Sequence, residues 1–217
     1  MDEITDGSAR LPERSWATFF AAFFASLNAE FGPKFPDDLE ATIRARQARL
    51  ELERETWVSH PHDSQHFAMT SMVLAAYEVL RAAFDRAVAL DALRRAFRAM
   101  WGEWIRRGTA AEPDTAPDVF GAMTTLARSK EGTMYGPSFT FEREREDVDA
   151  LWTKISRCYY YDYFKGHDAA ELTLIFCDWD TNWSSAIDVT CHRFRFERPT
   201  TIGRGDDVCR FRFTREP

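Results

Sequence analysis

The sequence predicts an α+β fold, a helical N-terminal half packed against a small antiparallel sheet formed by the C-terminal third. Up to residue 131 the apolar residues recur three and four apart, the period of a helix face. After Gly132 they alternate with charged residues, the period of a strand with one covered face. Helices first and strands afterwards imply a sheet covered on one face by helices. The 217 residues suit a single domain, with 1–131 mainly helical and 132–217 sheet plus short helices.

Trp16, Phe19, Phe20, Phe23, Phe24 and Leu27 mark one face of a first helix from Glu13 to Phe31, which Gly32-Pro33 ends. Asp37 and Asp38 offer caps for a second, running to Val58 with a narrow stripe of Leu39, Ile43, Leu50 and Trp57. Its remaining Arg and Glu residues suit a surface helix laced with i,i+4 pairs. A third helix, from Gln65 to Phe84 and capped by Asp63 or Ser64, is apolar nearly all round and therefore reads as central. Leu90 to Arg106 carries Leu93, Phe97, Met100, Trp101 and Trp104 on one side, and a shorter helix covers Asp118 to Ser129. Phe139 and Phe141 open the strand region, where the charge run Glu142 to Asp149 reads as a solvated hairpin end. Leu151 to Tyr161 reads as extended, and helical patterning returns between Ala169 and Ile187. Strands at Cys191–Glu197 and Val208–Thr214 close the chain, around a turn at Gly203 and Gly205.

Composition narrows the function. Lys and Arg total 28 against 35 Asp and Glu, a formal charge of −7 that argues against a fold-wide grip on nucleic acid. No apolar run reaches the roughly 18 residues of a membrane span. Trp16–Leu27 follows Asp2, Glu3 and Asp6 rather than a basic leader, a poor fit to a signal peptide. Four cysteines do not suggest a disulfide scaffold, so a reducing cytoplasm is the expected compartment. The expected partner is a small-molecule substrate, with no nucleic acid and no membrane; a homo-oligomer is left open. Aromatic residues make 14% of the chain, enough for core and pocket walls.

Reactive side chains concentrate in the last third: Cys158 in RCYYYDYF, Glu171 in AAELTLIF, Cys177 in FCDWD with Asp180 three residues on, and Cys209 after Arg198 in RPTTIGRGDDVCRFRF. A cysteine becomes a nucleophile when a cation or base lowers its pKa. Cys158, Cys177 and Cys209 converging on zinc is a second reading, weakened by the lack of any C-x-x-C pair. Simple packing of buried cysteines is the third. His60, His62 and His66 precede or open the third helix, and most simply pack there; His66 is kept as a proton-transfer candidate. His167, in a Lys-Gly-His-Asp loop, reads as solvent-facing.

The strings CYYYDYFKGHDAAELTLIFCDWD and RPTTIGRGDDVCRFRF resemble the C-terminal pattern of the L-2-amino-thiazoline-4-carboxylic acid hydrolase family. The matching positions are Cys158, Tyr160, Tyr161, Phe164, Glu171, Leu172, Cys177, Asp180, Arg198, Thr201, Ile202, Gly205, Cys209, Phe211 and Phe213. Ala170 stands where proline is common, and Cys191 is an additional cysteine. The resemblance implies a hydrolase, or a related ring-opening or ring-closing enzyme, acting on a small carboxylate-bearing heterocycle, with water added at an amidine-like ring carbon and a carbamoyl amino acid released. Such chemistry needs a nucleophile or activated water, a proton donor and a cation for the carboxylate. Under the resemblance Cys177 is the nucleophile, Asp180 or Glu171 the proton shuttle and Arg198 the carboxylate anchor. Cys158 and Cys209 then serve as support or as the alternative nucleophile, and Tyr160, Thr201 and His66 as substrate-binding residues. No cofactor or metal is expected. The ending GDDVCRFRF also looks like that of 4-vinyl-reductase-type sensor domains, which leaves a non-catalytic small-molecule-binding module with cysteine-bound zinc as the alternative.

Overall fold

The computed structural model describes residues 13–35, 38–111 and 116–216. Its helical part comprises α1 (Glu13–Phe31), α2 (Leu39–Leu50), α3 (Arg54–Trp57), α4 (Asp63–Arg81), α5 (Arg86–Ala111) and α6 (Val119–Lys130). The rest holds β1 (Thr140–Glu146), β2 (Ala150–Arg157), α7 (Tyr159–Gly166), α8 (Thr173–Ser184), α9 (Val189–His192), β3 (Phe194–Glu197) and β4 (Cys209–Arg215). The strands form one antiparallel sheet in the order β1-β2-β4-β3. The α+β architecture is therefore the one the sequence predicts.

Helix α4 is the hub, with Phe67, Met69, Met72, Val73, Leu74 and Leu80 all fully buried or nearly so. One core joins these to Leu39 and Ile43 of α2, Leu93 and Phe97 of α5 and Phe164 of α7, which pack on α4, and to Phe23, Phe24 and Leu27 of α1 and Phe176 of α8, whose helices pack on α5. Such residues bury the most apolar area, which makes this cluster the main source of stability. A smaller second core lies between α6 and the sheet, where Phe120 and Met123 meet Leu151, Phe194 and Phe213. Among the described residues no helix is long and apolar enough to cross a membrane.

Several elements differ from the sequence reading. The second helix stops at Leu50, and a 3-10 turn over Glu51–Glu53 leads into the short α3. Trp57 thereby leaves the stripe of Leu39 and Ile43 and sets its ring edge-on to Tyr163, 5.0 Å between centroids. The stretch expected to be extended as far as Tyr161 leaves the sheet at Arg157, and Tyr159 already begins α7. Tyr159, Tyr163 and Phe164 are buried on the helix side facing the core, a period of four that outweighs the strand preference of an aromatic run. Asp63 does not cap α4. Its Oδ2 instead accepts the Ser59 and His60 amides at 3.1 and 2.9 Å, tying the preceding loop to the helix. Cys191 lies in α9 rather than in a strand, because Asp188 caps that turn by accepting from Thr190 and Cys191 amides. His167 is not solvent-facing: its side chain is 12% exposed, with Nδ1 2.8 Å from the Tyr163 carbonyl and Nε2 3.0 Å from the Glu53 carboxylate.

Candidate functional site

In the β2–β4 ladder Ile155 lies opposite Cys209. This register brings the chain segment after β2 to the short 3-10 turn Ile202–Arg204 that precedes β4. The turn is held by its own polar groups. Asp206 accepts the Thr201 amide at 2.7 Å, and the Thr201 carbonyl accepts from the Arg204 amide at 2.8 Å. Gly205 closes it at φ +98°, a left-handed conformation that favours glycine.

Three cysteines meet this turn at different residues. The Ile202 amide points to Cys209 Sγ at 3.2 Å. Cys177, on α8, sits behind Gly203, where an added Cβ would lie 3.4 Å from its sulfur and 3.2 Å from Thr173 and Leu174. Cys158 joins Ile202 and Gly205 in the wall of a cavity of about 290 Å³. Arg157, Tyr161, Asp162, Asp206 and Asp207 line the same cavity. Among the described residues no group of three or more His, Cys, Asp and Glu side chains could hold a metal ion.

Cys158 follows β2 in extended conformation and is the N-cap residue of α7. Burial pushes its thiol up to about 12, against the opposing pull of the Tyr161 and Tyr160 amides. At neutral pH the group is therefore a thiol, protected from oxidation until something in the cavity favours its anion. A cation is what would do so, and the cavity is suited to receive one. Asp162, Asp206 and Asp207 supply carboxylates, and Arg157 the only positive side chain among its lining residues. Arg157 also pairs with Asp162 at 3.3 Å.

On the core side of the same helix turn, His66 is fully buried. Its Nε2 lies 3.1 Å from the Tyr135 carbonyl and its Nδ1 3.0 Å from the Tyr160 hydroxyl. The rings of Phe139, Tyr159 and Tyr160 surround it at 5.2 to 5.5 Å. Desolvation lowers its pKa to about 4, so the ring is neutral at pH 7. A carbonyl only accepts, so Nε2 carries the proton and donates to Tyr135, while Nδ1 accepts from Tyr160.

The candidate residues from the sequence divide accordingly. Cys158 lines the cavity, and Thr201 is buried in the turn beside it. Cys177 does not line it, and its carbonyl accepts from Arg198 Nη1 at 2.9 Å. The same guanidinium also stands over the Phe211 ring, 5.9 Å from its centroid. Glu171 is engaged elsewhere, accepting from the Tyr77 hydroxyl at 2.7 Å and Arg86 at 3.0 Å. Burial pulls its pKa upward, but these two partners hold it below the usual carboxylate range. Tyr160 and His66 face each other in the core rather than the cavity. The Asp180 side chain lies outside the described residues.

Arg157, Asp162, Asp206 and Asp207 were not singled out from the sequence. Each is adjacent to, or within a few residues of, a cysteine that was, and this proximity is the signal that could have found them. What the chain alone lacks is the register that joins the two strings.

A family model described as L-2-amino-thiazoline-4-carboxylic acid hydrolase matches residues 65–213, well over half of the chain. The chain belongs to that family. The matched span runs from the head of α4 to β4, so it takes in His66, Cys158 and the whole turn. No curated protein matches this hydrolase-family chain. Among solved structures it is similar to the Fe(II) unliganded H-NOX protein from K. algicida, at 8% identity and a TM-score of 0.39, over 92% of this chain and 95% of that one. An alanine-to-glycine mutant of the same H-NOX protein gives 8% identity and a TM-score of 0.33, over 92% and 96%.

Proposed function

We propose that this member of the family hydrolyses a small cyclic amidine bearing a carboxylate, such as a 2-amino-thiazoline-4-carboxylate, with Cys158 as nucleophile. The observation that carries the reading is the Cys158 thiol in the wall of a cavity that holds carboxylates and one guanidinium. A protonated amidine would bring a positive charge to the thiol. That charge favours the thiolate, against the burial that keeps the free protein in the thiol form. Arg157 would face the substrate carboxylate, since its fork geometry suits that group.

The steps balance as a covalent route. A cavity carboxylate takes the thiol proton, and Cys158 sulfur bonds to the amidine carbon. The bond from that carbon to the ring sulfur breaks, and the ring sulfur leaves with a proton. An isothiourea on Cys158 remains. Water then adds to its central carbon, the Cys158 sulfur departs and regains a proton, and a carbamoyl amino acid is released. One water is consumed and no electron is transferred.

The test is turnover of 2-amino-thiazoline-4-carboxylate by Cys158→Ala. A loss of about a thousandfold with an unchanged melting temperature supports the reading, since removing a nucleophile removes the covalent route. Retention of turnover within about tenfold contradicts it. Stoichiometric binding of the same compound by the unaltered chain without turnover would favour a binding module instead.

A further inference from the structure

We propose that His66 and Tyr160 are positioning residues that fix the first turn of α7 and, through it, the way Cys158 faces the cavity. The inference rests on the reading of Cys158 as the reactive group. His66 is fully buried and has no access to a substrate in the cavity. Its two ring nitrogens connect two separate segments to α4: the Tyr135 carbonyl ahead of β1, and the Tyr160 hydroxyl on α7. Tyr160 follows Cys158 by two residues, across the buried Tyr159, and directly precedes Tyr161, and both Cys158 and Tyr161 line the cavity. One hydrogen bond on the core side thus holds the backbone turn that presents two cavity residues.

The surroundings make that bond hard to replace. The Tyr160 ring packs 4.6 Å from Phe176 and 5.2 Å from Phe139, leaving an aromatic environment about the hydroxyl. A buried acceptor that loses its donor there bears its desolvation cost in full. The titratable groups facing His66 are Asp63 and His62 from its own end of α4, Tyr159 and Tyr160 from α7, and Tyr135 from the segment before β1. Asp63 is itself buried, and the Ser138, Ser59 and His60 donors hold its pKa below the usual range despite burial. The segment before β1 is therefore tied to the head of α4 twice, through Ser138 to Asp63 and through Tyr135 to His66, whereas α7 is tied there through His66.

The experiment is alkylation of the full chain by iodoacetamide across pH, with peptide mapping to read Cys158 apart from the other three cysteines. Tyr160→Phe keeps the ring and removes only the donor. It is expected to speed Cys158 alkylation by about tenfold and to lower the pH midpoint, as the loosened turn admits water to the sulfur. His66→Leu, which also loses the Tyr135 bond, is expected to do at least the same, and the double variant to go no further than His66→Leu, because the Tyr160–His66 bond is already gone there. His66→Asn, whose Oδ1 can replace Nδ1 as acceptor, is expected to stay within about twofold of the unaltered chain. If His66→Leu does not fold, Tyr160→Phe and His66→Asn decide the matter. A Tyr160→Phe chain with a lower melting temperature but an unchanged Cys158 profile would overturn the proposal, leaving the pair a packing contact. Alkylation needs no turnover, so the coupling can fail or hold independently of the hydrolase reading, which Cys158→Ala tests.

Discussion

The first turn of α7 has two sides that differ in almost every physical respect. Toward the core, Tyr160 meets a neutral histidine among aromatic rings. Toward the cavity, Cys158 and Tyr161 meet three aspartates and an arginine. The core side is fixed by directional bonds that exclude charge. The cavity side gathers charge that a ligand can reorganise. The difference teaches how a short helix can hold a thiol in its inert form beside a charged cavity: burial sets the resting state, and under the proposed function a cation bound in the cavity sets the response.

The largest expected contrast is between Cys158 at the head of α7 and Cys177 on α8. Cys158→Ala should lose turnover by about a thousandfold, whereas Cys177→Ser, outside the cavity wall, should retain it within about threefold. The reverse result would move the nucleophile to α8 and break the comparison. On the core side, Phe164→Ala removes a fully buried ring that packs 5.4 Å from Phe176. It should cost about 3–5 kcal/mol in urea unfolding, against less than about 1 kcal/mol for an exposed lining residue such as Asp207→Ala.

His66 gives a pH signature. Its folded pKa is depressed from 6.5 to about 4, so the unfolded chain binds the proton first. Its contribution to stability is complete above pH 6.5 and is lost as the pH falls from 6.5 to about 4, by about 3 kcal/mol across the window. Urea midpoints measured between pH 7 and pH 4 should fall more steeply in the unaltered chain than in His66→Asn. Equal slopes would show that the ring does not titrate as a buried neutral group. The smallest effect concerns Asp207, which is exposed at the cavity rim. Asp207→Asn should raise KM for a cationic substrate by about threefold at low salt, and the difference should vanish at about 1 M salt, where exposed charges are screened. A salt-independent change would place Asp207 closer to the chemistry than its exposure suggests.

Periodicity made the helical half legible, because α4 is apolar on nearly every side and α1 keeps one face. It failed at the run of three tyrosines, where neighbouring aromatic residues look like a strand until Tyr159, Tyr163 and Phe164 are seen to share the buried side of a helix. The resemblance located the two strings that the turn brings together, and Cys158 was among their cysteines. The division between Cys158 and Cys177 was not legible. It depends on the Ile155–Cys209 register and on which side of the Ile202–Arg204 turn each sulfur meets, and no local pattern encodes either. Glu171 and Arg198 were attractive as chemical types, yet the Tyr77 and Arg86 contacts and the Cys177 carbonyl engage them in the scaffold.

The account turns on sulfur of Cys158 bonding to the substrate carbon. Rapid acid quench of the full chain during turnover of 2-amino-thiazoline-4-carboxylate, followed by peptide mass mapping, reads that bond directly. The expected result is a transient adduct of the whole substrate on the peptide containing Cys158, absent in Cys158→Ala. An adduct on the Cys177 peptide instead, or continued turnover by Cys158→Ala with no adduct anywhere, would contradict it.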